Sequence, residues 1–309
     1  MKSSPLILLI LSLFLFGCVT KQVEFPQADI VYQAIDFLDY GESTNKLVSF
    51  INADGSNDVI IPLQIRPSHP VFSIEDGGLL FLHAKDPTSV FGYAGKPVFL
   101  TTSGKYKTCD IPGGGYDYSF AIPDTGDILV NSDYGLVSVD INTCEVVKTF
   151  VELNDEISFR LIASAHILQL GSKIVFAADW GVRGAKTMAR IMILDLQTGE
   201  IAEMPFTGGN PTLSPDDLQL AYMGIDGIYV SDIQSQKSRL LVPVDLRPVE
   251  LAERSPYPFW SPDGKWLVYH KCTNNLCYRL EDFSIFKVNV ATGEETKIKD
   301  GGMFPIWVN

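Results

Sequence analysis

Short apolar runs alternate with polar turns along almost the whole chain, and their spacing predicts β-strands joined by hairpins. Six of the runs are Leu47-Val48-Ser49-Phe50-Ile51, Val98-Phe99-Leu100, Leu136-Val137-Ser138-Val139, Ile191-Met192-Ile193-Leu194, Ile228-Tyr229-Val230 and Ile285-Phe286-Lys287-Val288. Each meets a polar turn, near Asp54-Gly55, Ser103-Gly104, Asn142-Thr143, Thr198-Gly199, Ser235-Gln236 and Thr292-Gly293. Runs this short and this rich in Val, Ile and Phe have the length of strands, and connections of two to four residues are hairpin chemistry.

The stretch Pro258-Phe259-Trp260-Ser261-Pro262-Asp263-Gly264-Lys265-Trp266-Leu267-Val268-Tyr269 sets the phase of the array. Ser261 to Gly264 has Ser first, Pro second and Gly fourth, the preferred composition of a type I turn, and a buried strand follows. Pro211-Thr212-Leu213-Ser214-Pro215-Asp216 repeats the opening 47 residues upstream, and Pro305-Ile306-Trp307 repeats it 47 downstream. The same step backwards reaches Ser164, Asp117 and Pro70, where Pro70-Val71-Phe72-Ser73-Ile74-Glu75-Asp76-Gly77 is a degenerate copy. The copy at Ser164 is marked mainly by the strand Lys173 to Ala177, and the displaced turn Ile122-Pro123-Asp124-Thr125-Gly126 marks the one at Asp117. A fixed period of this length is a repeat architecture. Four strands per period and six phase points predict an all-β fold, a six-bladed β-propeller. The final phase point opens a blade of which only four more residues remain. Closure is therefore expected by pairing of the C-terminal strand with the N-terminal blade, whose strands lie near Ile30 to Ile35, Leu47 to Ile51 and Val59 to Leu63. Such pairing removes the exposed edges of an open array, and Trp307 is expected to carry much of it.

The Pro-x-Trp-Ser-Pro-Asp-Gly-Lys-x-Leu-Val-Tyr pattern at Pro258 resembles the WD40-like propeller repeat of the TolB family, also seen in propellers attached to prolyl-oligopeptidase-type hydrolases. Asn52-Ala53-Asp54-Gly55-Ser56-Asn57 resembles the Asp-Gly-Ser-Asn hairpin of the same repeats. The resemblance covers roughly residues 28 to 309 and implies the propeller fold. It does not imply one activity, because propellers host many.

Lys2 followed by the 11 apolar residues Leu6 to Phe16 is shorter than the ~20 residues a spanning helix needs and fits an export signal. Leu15-Phe16-Gly17-Cys18 resembles a bacterial lipoprotein cleavage box. It implies a signal peptide over 1–17, lipidation at Cys18 and a lipidated tether over 18–27. An uncleaved signal anchor is the alternative. Either way the propeller is expected on the extracytoplasmic face of a bacterial membrane, in the periplasm or at the cell surface, and Cys18→Ser should release the lipidated form into the soluble fraction. The other four cysteines read as structural disulfides of an oxidising compartment, Cys272 with Cys277 and Cys109 with Cys144. No second Cys-x-x-Cys or nearby His pair completes a metal site, so neither metal nor cofactor is expected.

About 290 mature residues without a composition shift are expected to form one monomeric domain. Net charge is −13, and losing Lys2 makes it 23 − 37 = −14. A chain so acidic lacks the basic stripe of a nucleic-acid binder, and would be repelled by anionic lipid unless tethered.

In a propeller of this kind the loops leading into each first strand and those following each second strand share one rim. The lead-in loops would bring His69, Tyr116, Arg254, Tyr257 and Phe304 to it; the second-strand loops would bring His83, Asn131, Asp179, Trp180, Arg183, His270 and Lys271. Aromatic and Arg residues are usual recognition anchors; the same residues also fit ordinary loops and strand-end histidines with satisfied partners. Gly113-Gly114-Gly115 lacks the Lys-Ser/Thr of a phosphate cradle. Asn52 to Asp58 lacks the final Glu of a calcium loop. No Gly-x-Ser-x-Gly elbow of a hydrolase is present. The expected function is a non-enzymatic scaffold that docks an envelope protein or peptidoglycan-associated partner. The competing reading is an enzyme or small-ligand sensor, for a sugar or peptide, using the central mouth.

Overall fold

The computed structural model describes residues 25–34, 47–61, 72–73, 78–84, 95–101, 103–109, 119–121, 127–132, 135–152, 160–167, 173–179, 189–244, 256–273 and 280–308. Twenty-four strands make six four-stranded antiparallel sheets among them. Five are uninterrupted runs of the chain. These comprise β4 (Phe72–Ser73), β5 (Leu79–Ala84), β6 (Gly95–Leu100) and β7 (Tyr106–Thr108); β8 (Ser119–Ala121), β9 (Asp127–Ser132), β10 (Gly135–Asp140) and β11 (Val146–Glu152); and β12 (Arg160–Ile167), β13 (Lys173–Asp179), β14 (Arg190–Asp195) and β15 (Ile201–Thr207). The other two are β16 (Gly209–Leu213), β17 (Gln219–Met223), β18 (Gly227–Asp232) and β19 (Ser238–Pro243); and β20 (Phe259–Trp260), β21 (Trp266–Cys272), β22 (Phe283–Asn289) and β23 (Glu295–Asp300). The remaining sheet is composite. The last strand, β24 (Gly302–Trp307), lies beside β1 (Ile30–Ala34), followed by β2 (Leu47–Ile51) and β3 (Val59–Ile61). The architecture is all-β, small antiparallel sheets in a propeller arrangement; the uninterrupted repeats number five, and the six blades expected from the sequence rest on counting the composite sheet.

Apolar side chains on both faces of the inner strands explain the packing. β1, β2, β10 and β24 are almost wholly buried, whereas the outer strands β15, β19 and β23 are mostly exposed. A sheet buried on both faces must pack against a neighbour on each side. Phe99 and Cys109 of one sheet meet Ile128, Val130, Val137 and Val139 of the next. Val175, Ile191 and Ile193 meet Leu213, Leu220 and Tyr222; Met223, Ile228 and Val242 meet Trp260, Leu267 and Tyr269. The composite sheet packs on both its neighbours, through Ile30 and Tyr32 against Val268 and Ile285, and through Val31, Phe50 and Ile306 against Leu79 and Val98.

Polar struts reinforce these contacts. Lys107, Lys148 and Arg239, each on the outermost strand of its sheet, donate to Asn142 O, Leu196 O and Val290 O in the hairpin turn of the following sheet. Lys287, on β22 one strand in from the outermost, donates likewise to Ala53 O in the hairpin turn of the composite sheet at 2.8 Å. The Cys109–Cys144 disulfide joins two of the sheets covalently, as expected. Cys272 is disulfide-bonded too, and its expected partner Cys277 lies outside the described residues.

The composite sheet is held by β24. Ile30 pairs with Trp307, Val31 with Ile306, Gln33 with Met303 and Ala34 with Gly302, with a bulge between Val31 and Gln33. Met303, Phe304, Pro305 and Ile306 are all buried. Trp307, expected to dominate, sits half-buried at the strand end and packs only on the margin of a cluster.

The Ser-Pro-Asp turns form as the sequence predicts. Ser261 O accepts from Gly264 N at 2.9 Å, Ser261 Oγ accepts from Trp266 N at 3.0 Å, and Ser261 Oγ donates to Asp263 Oδ1 at 2.7 Å. The Ser214 turn repeats the three bonds, with Asp217 where the other has Gly264. Both residues are left-handed, at φ 60° and 68°. A side chain in that region is strained where glycine is not. Asp217→Gly should therefore raise stability by about 0.5–1 kcal/mol, an upward shift of about 2 °C in thermal melting; a lowered midpoint would show that the Asp217 side chain contributes more than its backbone costs.

Candidate functional site

The array places one residue immediately before each phase point, where the chain enters a first strand. Three are described, Asn210, Tyr257 and Phe304, 47 residues apart and each followed by proline. Proline restricts the residue before it, yet Asn210 and Phe304 adopt φ 49° and 53°, and both of their strands carry a register shift at this place. Sparsely populated backbone of this kind persists only where surrounding contacts enforce it. The contacts are on hand. Asn210 is buried and its Nδ2 donates to Pro256 O at 3.1 Å, joining two successive lead-in segments. The first strands β12, β16, β20 and β24 lie each against the next.

Tyr257 and Phe304 converge on His270. The imidazole stacks on Tyr257 (centroids 5.7 Å, planes 19° apart) and meets Phe304 and Phe283 edge-on at 5.1 and 5.7 Å. Tyr257 and Phe304 make a T-shaped pair at 5.0 Å. His270 is fully buried, and its Nδ1 accepts from Phe304 N at 3.3 Å. That acceptor role places the ring proton on Nε2, which has no hydrogen-bond partner among the described residues, and the ring is packed against three aromatic rings. Burial pushes the imidazole down from its ordinary value to about 3, because a charged ring here would lose its hydration without gaining a partner.

Lys271 does not join this group. Adjacent residues of a strand point to opposite faces, so Lys271 leaves β21 on the other side. There it pairs with Glu295, lies 4.2 Å from the Phe286 ring centre, and shares Glu295 with Tyr269 OH, which donates at 2.6 Å. Desolvation, and the bond to that carboxylate, push the Tyr269 phenol far up. Similar bonds from an inner-strand Tyr to the outermost strand or its first flanking residue recur in two other sheets, between Tyr222 and Ser238 at 2.8 Å and from Tyr32 to Asp58 at 2.8 Å. The motif is architectural.

Of the other rim residues, His83, Asn131 and Asp179 lie at the far ends of β5, β9 and β13, with ladder partners Lys96, Leu136 and Arg160. His69, Tyr116, Trp180, Arg183, Arg254 and Cys18 lie outside the described residues. Asn210 was missed in the sequence. Its signal was available, since it occupies the phase position of His69, Tyr116, Tyr257 and Phe304. Among the described residues no three His, Cys, Asp or Glu side chains gather as metal ligands, and no helix is long and apolar enough to cross a membrane.

No protein-family model matches the chain, and no curated protein matches it in sequence. Solved structures do share the fold. A TolB-like protein of Agrobacterium tumefaciens superposes with TM-score 0.60 at 13% identity, over 89% of this chain and 90% of that one. An oligogalacturonate lyase of Vibrio parahaemolyticus gives 0.52 at 18% identity, over 88% and 74%. A 6-phosphogluconolactonase-like protein of Bacteroides fragilis gives 0.52 at 12%, over 91% and 98%. At these identities the likeness is one of fold, shared by neighbours of differing function.

Proposed function

We propose that the protein is an envelope-anchored propeller, closed as six blades by β24 and tethered through lipidated Cys18, that serves as a non-enzymatic docking scaffold for a protein or peptidoglycan-associated partner. The observation that carries this reading is the use already made of the described rim side chains. A general acid or base needs a titration point near the working pH and access to substrate. His270 is instead sealed and held neutral by burial, and Lys271 is neutralised by Glu295. His270 joins this sheet to β24 and Lys271 ties β21 to β23 within it, and what they leave for recognition is a rigid platform under the lead-in loops. The likeness to a TolB-like protein across nearly the whole of both chains supports the same reading.

The test is crosslinking and pull-down of the anchored protein from its own cells, beside a Cys18→Ser form. A partner captured by both forms, with only the anchored form in the membrane fraction, is the expected result. Continued membrane association of Cys18→Ser would remove the anchor. Turnover or saturable binding of a sugar, with no protein captured, would replace the scaffold by a small-ligand mouth.

A further inference from the structure

We propose that His270 is an acid-sensitive clasp on the seam between β24 and the sheet β20–β23: neutral, its Nδ1 accepts the Phe304 amide proton and holds β24 in place; protonated, it expels that amide and opens the seam.

The geometry of the seam sets up the switch. β24 arrives from the far end of the sequence to pair with β1, and on its other side it packs along β20, β21 and β22. Across that second contact the one hydrogen bond from its backbone to a side chain of the neighbouring sheet, among the described residues, is Phe304 N to His270 Nδ1 at 3.3 Å. A protonated imidazole is a donor at both nitrogens. Two N–H groups would then face each other at Nδ1, while the new charge would sit among Tyr257, Phe283 and Phe304.

Among the described residues no compensating charge is placed to receive it. β24 contributes Met303, Phe304 and Pro305, none ionisable, and β22 faces the ring with Phe283. The described part of the lead-in to β20 presents the face of Tyr257. On His270's own strand Lys271 and Tyr269 point the opposite way and share Glu295. Glu281 and Asp282, in the 3-10 turn Leu280–Asp282 that packs on β24, have partners of their own. Burial is accordingly what holds the ring low, with no charged neighbour contributing.

The direction of the effect follows from linkage. Opening exposes His270 and restores its ordinary value near 6.5, whereas the closed value is about 3. The closed seam is therefore at full strength above pH 6.5. It weakens as pH falls, because the open form takes up a proton that the closed form refuses, and the weakening continues down to about pH 3. The opening equilibrium should rise about 50-fold between pH 6.5 and 4.5 from this group alone. Carboxylates held low by their partners, Asp58 and Asp300 among them, begin to contribute only near and below pH 4.

Native-state hydrogen exchange on the full chain, corrected for intrinsic rates, reads this directly. Amides of residues 303, 304, 306 and 307 are expected to lose about 50-fold in protection between pH 6.5 and 4.5, while those of β17 and β18 hold theirs. In His270→Asn, whose side-chain oxygen keeps an acceptor near the Nδ1 position, the pH dependence at β24 should vanish. Equal pH dependence in wild type and variant, or loss of protection in β17 and β18 together with β24, would overturn the clasp. Should the variant not fold, imidazole NMR of the wild type decides. A His270 signal that titrates near 6.5 with the fold intact would refute the proposal, and one that stays neutral down to pH 4.5 beside weakening β24 amides would support it.

Discussion

A chain lacking residues 304–309 is expected to lose its cooperative thermal transition and to elute as aggregate. The deleted segment removes Phe304 and Ile306, both nearly fully buried, and the ladder that joins Trp307, Ile306 and their neighbours to β1. Truncating one buried Phe typically costs about 3–5 kcal/mol and one Ile about 2–5 kcal/mol. Together these approach the ~5–15 kcal/mol by which whole proteins are stable. The damage also spreads, because Ile306 packs with Val31, Phe50, Leu79 and Val98, so two sheets lose their shared core. The unmatched edge of β1, buried throughout and mostly apolar, would become a template for pairing with other chains. Circular dichroism melting and size-exclusion chromatography check this. An unchanged melting midpoint would mean that the two ends of the chain do not depend on each other, and the closed ring proposed above would fall.

How the fold was legible, and where legibility stopped, can be seen in particular residues. The period of 47 worked because each repeat reuses the same local chemistry. Ser261 and Ser214 cap their turns with matching bonds. Asp140, Asp195, Asp232 and Asn289 start their hairpins by accepting backbone N–H groups two or three residues on; for the three aspartates, those bonds hold the carboxyls below the ordinary range. Such contacts lie within a few positions of one another, so sequence spacing records them. The inter-sheet struts are different. Lys148 reaches Leu196 O and Lys287 reaches Ala53 O across 48 and 234 residues, and a strand lysine looks like any solvated lysine until its neighbour is known.

The rim shows the same division. Phase counting brought Tyr257, Phe304 and His270 into one region, and the three do pack together. Parity along the strand, a rule readable in sequence, should have separated His270 from Lys271. Burial could not be read that way. A lead-in aromatic resembles an exposed anchor in sequence, whereas Tyr257 and Phe304 are only 5% exposed and build the seam itself. The Cys109–Cys144 bridge falls between the two cases. Cys144 is left-handed at φ 62°, the place filled by Gly199 at 75° and Gly293 at 75° in two other hairpins. Gln236, exposed at φ 55°, fills the same place in a further hairpin, so the position alone does not mark the bridge.

Gly227→Val is expected to cost roughly 2–6 kcal/mol, from about 1–3 of backbone strain and about 1–3 of overpacking, enough to leave the β16–β19 sheet unfolded at 37 °C. Gly227 closes the hairpin after β17, where Gly224 N donates to Gly227 O at 2.8 Å, and it pairs with Pro243 on the outer strand. Its φ is 153°, and a Cβ there would stand 2.1 Å from Val242 O and 3.0 Å from Pro243 Cα. Both are backbone atoms, so no side-chain rotation relieves the clash. The only way out is to part β18 from β19, and with them the core of Ile228, Val230 and Val242 against Trp260 and Tyr269. Gly199→Ala supplies the contrast. Gly199 also occupies a hairpin with positive φ, 75°, yet a Cβ there meets nothing within 4 Å, so only the left-handed penalty of about 1–2 kcal/mol applies. Chemical denaturation of the two variants separates backbone strain from steric exclusion. A Gly227→Val protein as stable as Gly199→Ala would show that β19 can leave the sheet freely, and that the outer strands contribute little to holding neighbouring sheets in place.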